Sequence, residues 1–583
     1  LYEGFLEGEA DDESIVPPGA YPTRQAGTQP VGAAANAPDE GAGSNNWVIA
    51  GSRTVTGKPI VASDPHIAFA AVSCWYEAHL CGGSFNAAGM AYAGMPAIMF
   101  GRNSRVAWGI TNNICSQRDL YQERTSPDHP GCFLFDGQWE PARELTEEIR
   151  VRGGDTVRKT VRFSRNGPIV DDILPPVARG TGPVSLRWLG ATNCRWLTSL
   201  LAMDRAGSAD AFREALRGWR VPTWNLVFAD ADGHTGYQAA GDVPIRGIPE
   251  RGYRPGWEPA HQWRGVVPWE GMPRLADPAR GWIATANNRP APDDFPYPLS
   301  GTWASGHRAR RIRQMIEERG ELSKEAVAEM QMDVLSLRAA EGVPRLLRTL
   351  AGSSNARLRR AAGALREWDC RMETDRVGAA VFEVFFTHWC RTVSSARFQG
   401  ETADALSPAL AGLALRLLDA DPAGWFPAGR RETAAAEALN AALDELASRL
   451  GPDMASWEWG RLHTIRLRHV LSGRGELADL LDRGGLPVRG NGVTVCNTGF
   501  DPNWGAPMGA NYRLIADMST SPPALWAQES QGQSGHPGSK HYCDQLPEWL
   551  AGRHHPLPLD RTEASKATEV TLRLEPEART PGL

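Results

Sequence analysis

The feature that most constrains this fold is an abrupt change of texture at Ser44. Residues 1–43 run through Pro17-Pro18, Pro22, Pro30, Pro38 and the tract VGAAANAPDEGAG with neither a helical nor a strand period. Directly afterwards WVIAGS, a turn at Gly57 and KPIVAS read as the two strands of a hairpin that ends at Asp64-Pro65. Short strands separated by Gly, Asn and Asp continue to about residue 290, with one helical interruption around 196–217. From 306 the period becomes helical: one helix stops near Gly320, and Ser323 caps another with Val327, Met330, Val334 and Leu337 on one face. Leu439, Leu443, Leu446 and Leu450, followed by Gly451-Pro452, mark a further helix and its stop. Strand and loop return from about 486. Sheet and helix without strict βαβ alternation, and without a repeat of 20 to 50 residues, predict an α+β layered fold.

Composition narrows the function. Hydrophobic residues make up 42% of the 583, enough to bury a core and to exclude global disorder. Eight acidic residues and one basic residue give segment 1–43 a charge of −7, which leaves +1 for the rest of a chain whose formal charge is −6. A nearly neutral body excludes a nucleic-acid footprint spread over the whole surface. The longest uncharged run, Ala78 to Gly101, carries His79, Ser84, Asn86, Pro96 and five glycines and so predicts no membrane span. The nine cysteines form no C-x-x-C pair, which excludes a zinc ribbon or thioredoxin motif. The sequence opens at Leu1 without a basic or apolar leader, so any targeting signal is expected upstream.

The stretch SNNWVIAGSRTVTGKPIVASDPH resembles the start of the β chain in penicillin acylases of the N-terminal nucleophile hydrolase superfamily. WYEAHL, MFGRNSRVAWGITNN, RDLYQE, NLVFADADGHTGY, GDVPIRG, WIATANNRP, GHRARRI and GQSGHPGSKHYCDQ follow as similar blocks in the family's order, from 44 to about 550. The resemblance implies a four-layer αββα N-terminal nucleophile hydrolase fold with helical insertions. Residues 1–43 would be the end of an α chain and an acidic, Pro/Gly-rich spacer; 44–583 would be the catalytic β chain, with its helical region at about 306–480. It also implies a partner α chain from the same precursor, mostly absent from this sequence, and a periplasmic or extracellular location.

The chemistry stands beside the resemblance. A serine hydroxyl is a poor nucleophile until a base takes its proton, and a free α-amino group of pKa about 7.7–8.0 is such a base. Ser44 must therefore become N-terminal, by a break after Gly43. By resemblance His66 steadies the nucleophile and its amine, Asn287 and the backbone N–H of Asn112 donate to the oxyanion, and Arg308 organises nucleophile and asparagine. Ile67, Met99, Phe100 and Ile114 match the acyl pocket and predict an apolar or aromatic acyl group. No cofactor is expected for catalysis. One structural calcium ion is expected, held by Asp119, the carbonyl of Pro244 and Asp293 or Asp294, with Ser116 standing where some members have Asp.

The predicted activity is hydrolysis of the amide bond of N-acyl compounds through an acyl-enzyme, as in penicillin acylases. An acyl-homoserine-lactone or cephalosporin acylase shares the scheme. From another class, the Trp-rich strand region with many acids would suit a carbohydrate-binding or glycosidase module, although no carboxylate pair stands out.

Overall fold

The computed structural model describes residues 14–21, 43–175, 178–248, 252–473 and 475–575. Strands β1 (Gly43–Ile49) and β2 (Ile60–Ala68) form the predicted hairpin, in the register Ser44 opposite Pro65 and Ile49 opposite Ile60. β1 is an inner strand, with Trp282–Thr285 on its other side. Beyond β2 the eight-stranded antiparallel sheet continues through Tyr512–Asp517, Ala524–Glu529 and His555–Pro556. A second antiparallel sheet of seven strands runs Arg274–Ala276, Thr235–Ala240, Trp224–Asp230, Val106–Asn112, Phe100–Asn103, Phe85–Tyr92 and Trp75–Gly82.

Side chains alternate across β1, and both faces are buried, which is why its sequence shows no polar face. Trp47 and Ile49, with Ile60 and Ala62, pack on Ile312, Met315 and Ile316 of helix His307–Glu318 and on Val327 and Met330 of helix Lys324–Gln331. Val48 and Val61 belong instead to a second core, which also holds Val227 of the second sheet, opposite Gly109. The same core takes in helices Trp196–Met203 and Ala209–Ala215, where Phe212 lies against Trp108 and Phe228 at ring-centroid distances of 5.4 and 4.9 Å. The layers are helix, sheet, sheet, helix: the four-layer αββα architecture. Gly109 sets how closely the sheets meet, since a Cβ there would lie 2.6 Å from the Ser63 Cβ and 3.4 Å from the Asn46 Cβ.

Beyond these layers a helical body forms around Val377–Ser395, against which Arg430–Leu450 packs with Leu439, Leu443 and Leu446 buried. Ser323 caps its helix as predicted, its Oγ accepting from the Ala326 N–H at 3.2 Å, but that helix ends at Gln331, so Val334 lies in the connection and Leu337 opens the next helix, Leu337–Thr349, capped by Ser336. The helical interruption at 196–217 is two helices, because Ser208 starts the second by accepting from the Ala211 N–H.

Part of the aperiodic head is docked. Ile15 and Val16 are 1% and 0% exposed, and their N–H groups donate to the carbonyls of Arg289 and Pro290 at 2.9 and 3.2 Å. Arg280 Nη2 donates to the Ile15 carbonyl at 3.1 Å, and the Tyr21 ring meets Phe295 edge-on at 5.0 Å. The rest of segment 1–43, apart from Gly43, lies outside the described residues. Among the described residues no helix is long and apolar enough to cross a membrane.

Candidate active site

Ser44 stands near the open end of β1 and is 6% exposed. Its hydroxyl donates to the carbonyl of Gly43, the bond predicted to break. Its N–H donates to Asn287 Oδ1 at 2.7 Å. Arg308, 2% exposed on helix His307–Glu318, reaches up from the helix layer. Its Nη1 donates to the Ser44 carbonyl at 2.9 Å and to Asn45 Oδ1 at 2.7 Å, while Nη2 donates to Asn287 Oδ1 at 3.0 Å. Two donors on Oδ1 settle the orientation of the Asn287 carboxamide. Its Nδ2 then points at the carbonyl of Asn112, 2.8 Å away.

Asn112 ends the strand Val106–Asn112 opposite Trp224. The next residue, Asn113, donates its N–H to the Thr223 carbonyl at 3.2 Å. Antiparallel ladders alternate, so Asn112 turns its own N–H and C=O to the other side, toward Asn287. Ser44, Asn287, Arg308 and Asn112 therefore meet at one point.

His66 lies close in the backbone but aims elsewhere. It pairs with Gly43, and the alternation puts its ring on the face of Asn45 and Asp64, opposite to the face of Ser44. Its Nε2 lies 2.8 Å from Asp64 Oδ2 and 3.2 Å from Asn45 Nδ2, and its Nδ1 has no protein partner. Asp64 also accepts from Asn45 Nδ2 at 2.8 Å and from Gln331 Nε2 at 3.4 Å. Burial pushes the Asp64 carboxyl up to about 8, against the pull of Arg513 and Arg308 and of its hydrogen bonds. Burial also holds His66 well below its ordinary value, with the Arg308 and Arg513 charges acting in the same direction. Both shifts favour the uncharged forms, and the pair grips Asn45, the residue next to Ser44.

Ile67 is on the same face of β2 as Pro65, opposite Ser44. Met99 and Phe100 are buried in the second core, and Ile67 and Ile114 lie at its margin. Ile114 has a φ of +60°, strained for a β-branched residue, and its N–H turns to Asn112 Oδ1 at 3.3 Å.

Of the expected calcium ligands, Asp119 and Asp293 are each paired with an arginine. Asp119 Oδ2 already accepts from Arg246 Nε at 2.8 Å and from Trp263 Nε1 at 2.5 Å, with Arg254 Nε 3.9 Å away. Arg246 Nη2 takes the carbonyl of Ser116 at 3.0 Å. Asp293 pairs with Arg289, and among the described residues no three His, Cys, Asp or Glu side chains form a group suited to a metal. Two guanidinium groups beside one carboxylate repel rather than attract an ion such as calcium.

Asn45, Asp64 and Gln331 were not singled out by sequence reasoning. The doubled asparagine of SNNW and an aspartate inside a strand were the available signals for the first two. Asn225 is another such residue: it accepts from Tyr237 Oη at 2.7 Å and supports Thr285 at 3.3 Å, beside the Asn287 loop.

A family model described as penicillin amidase matches residues 6–566. The chain is 29% identical to the acyl-homoserine lactone acylase QuiP of Pseudomonas aeruginosa, over 91% of this chain and 69% of that protein. It is 31% identical to the penicillin acylase 2 proenzyme of Pseudomonas sp. strain SE83, over 87% of this chain and 66% of that protein. It thus spans about two thirds of the length of these curated relatives. Among solved structures, a thermostable penicillin G acylase from Alcaligenes faecalis superposes with a TM-score of 0.73 at 18% identity, over 92% of this chain and 100% of that one.

Proposed function

Because the chain belongs to the penicillin amidase family, we propose that it hydrolyses the amide bond of N-acyl compounds, using Ser44 as nucleophile once the Gly43–Ser44 bond is cut. The observation that carries this reading is the contact of the Ser44 hydroxyl with the Gly43 carbonyl, with the Ser44 nitrogen held on Asn287. Ser44 Oγ adds to the Gly43 carbonyl carbon and its proton passes to the Ser44 nitrogen. The C–N bond breaks, and water hydrolyses the resulting ester to free the Gly43 carboxylate and the Ser44 amine.

The freed amine is then the general base. Its contact with Asn287 Oδ1 turns its lone pair toward Oγ, and the Arg308 charge disfavours the ammonium form. Oγ attacks the substrate carbonyl while Asn287 Nδ2 and the Asn112 N–H take the developing negative charge. The proton goes to the departing amine, and water releases the acyl group. Ile67, Met99, Phe100 and Ile114 favour an apolar acyl chain. The relatives include both a lactone acylase and a penicillin acylase, which share N-acyl amide cleavage. A partner chain released from the same precursor and a periplasmic or extracellular location belong to the same reading.

Intact-mass analysis with N-terminal sequencing tests it. A fragment beginning at Ser44 is expected, absent in Ser44→Ala, and hydrolysis of phenylacetyl and octanoyl anilides in preference to the glutaryl compound. Full activity in a chain still joined at Gly43–Ser44 would sink the reading.

A further inference from the structure

We propose that Gly43 is a selected element of self-cleavage: the pocket on the acyl side of the scissile bond admits only a residue without a side chain. This rests on the Ser44 reading above. A Cβ placed on Gly43 would lie 2.5 Å from Asn287 Oδ1, 2.9 Å from Arg308 Nη2 and 3.3 Å from Asn287 Cγ. Contacts that short force something to move, and neither neighbour is free to do so. The Asn287 carboxamide is bonded at both ends, to Ser44 and Arg308 through Oδ1 and to Asn112 through Nδ2, in a residue with no exposed surface. Arg308 is tied to the Ser44 carbonyl and to Asn45. Sideways escape is closed as well, because Gly43 is paired with His66 in the register of β2.

Gly43 does not have a positive φ, so the requirement is one of space alone and not of backbone conformation. A methyl group at this position pushes the carboxamide off the Ser44 N–H or lifts the Gly43 carbonyl away from the hydroxyl. Either displacement disrupts the attack geometry. The requirement also expires: once the bond is cut, residue 43 is no longer attached to the nucleophile, and its identity has no bearing on turnover.

The test follows the full chain with Gly43→Ala and Gly43→Val by intact mass over time. Self-cleavage is expected to slow by at least about tenfold for alanine and further for valine. The alanine chains that do mature are expected to show wild-type kcat per Ser44 terminus. The uncut alanine precursor is expected to melt with the Ser44→Ala precursor. Cleavage at the wild-type rate would overturn the proposal and leave the Ser44 reading intact. Slow cleavage with a lowered melting temperature, or with a lowered kcat in the matured fraction, would assign the effect to folding or to general damage and overturn it equally. A wild-type chain that never begins at Ser44 would instead remove the reading on which the proposal rests.

Discussion

Asn287 sits in the left-handed region, with a φ of +66° and no exposed surface, and its carboxamide is committed at both ends. Backbone strain of this kind persists only where the surroundings over-determine it. In chains that have matured, Asn287→Ala is expected to lower kcat by about 10²–10³-fold with a smaller change in Km, measured by steady-state kinetics. Asp64 supplies a second prediction. Its folded value of about 8 lies above the ordinary carboxyl value of 3.8, so between the two the folded state keeps a proton that the unfolded state has lost. The stability from this group is complete below the unfolded value and disappears as pH rises toward 8. His66 acts in the opposite sense, its share being lost as pH falls below 6.5 through its lowered folded value. The groups facing Asp64 are Asn45, His66, Gln331, Arg308 and Arg513. Asp64→Asn keeps the shape and removes the titration, so its Tm should fall less than that of the wild type between pH 4 and 8 in a thermal melt series. Ser44, Asn287 and Arg308 were legible because each lies in a quotable block. The aim of His66 was not, because one step of strand alternation decides which face a side chain joins, and that depends on register.

At the scale of elements, the β1–β2 hairpin and the Ser323 cap were readable because turn and cap chemistry is local. Residues 14–21 were not. Their aperiodic sequence hides a segment whose hydrogen bonds run to Arg289 and Pro290, far along the chain, so no local period records them. On the proposed cut this segment loses its covalent link to the body and is held by burial and these hydrogen bonds. Fragments containing Ile15 are expected to coelute with the body in gel filtration and to separate in denaturing mass spectrometry. Ile15→Ala, with its side chain 1% exposed, should weaken that association by about 2–5 kcal/mol. Retention unchanged by Ile15→Ala would assign the docking to other contacts. Arg246 went unread for the same reason as residues 14–21, since only the fold brings it to Asp119.

For the whole molecule, the four layers place Ser44 between a sheet and the helix-borne Arg308, and the Arg246–Asp119 ion pair joins strands Arg118–Gln122 and Pro244–Arg246. Chelation by EDTA should accordingly leave the Tm and the anilide hydrolysis rate unchanged, whereas Asp119→Asn should lower the Tm. A fall in Tm on chelation, reversed by calcium, would overturn this. The position of β1 within its sheet has a last consequence. A newly made chain end is ordinarily the most mobile point of a protein, and a reactive group carried there spends most of its time elsewhere. Here the new end would be formed on an interior strand already flanked on both sides, with its nitrogen and hydroxyl held before the bond is severed. Base and nucleophile would start their working life with little rotational freedom left to lose, an advantage in effective concentration provided by the sheet and not by any residue of the site.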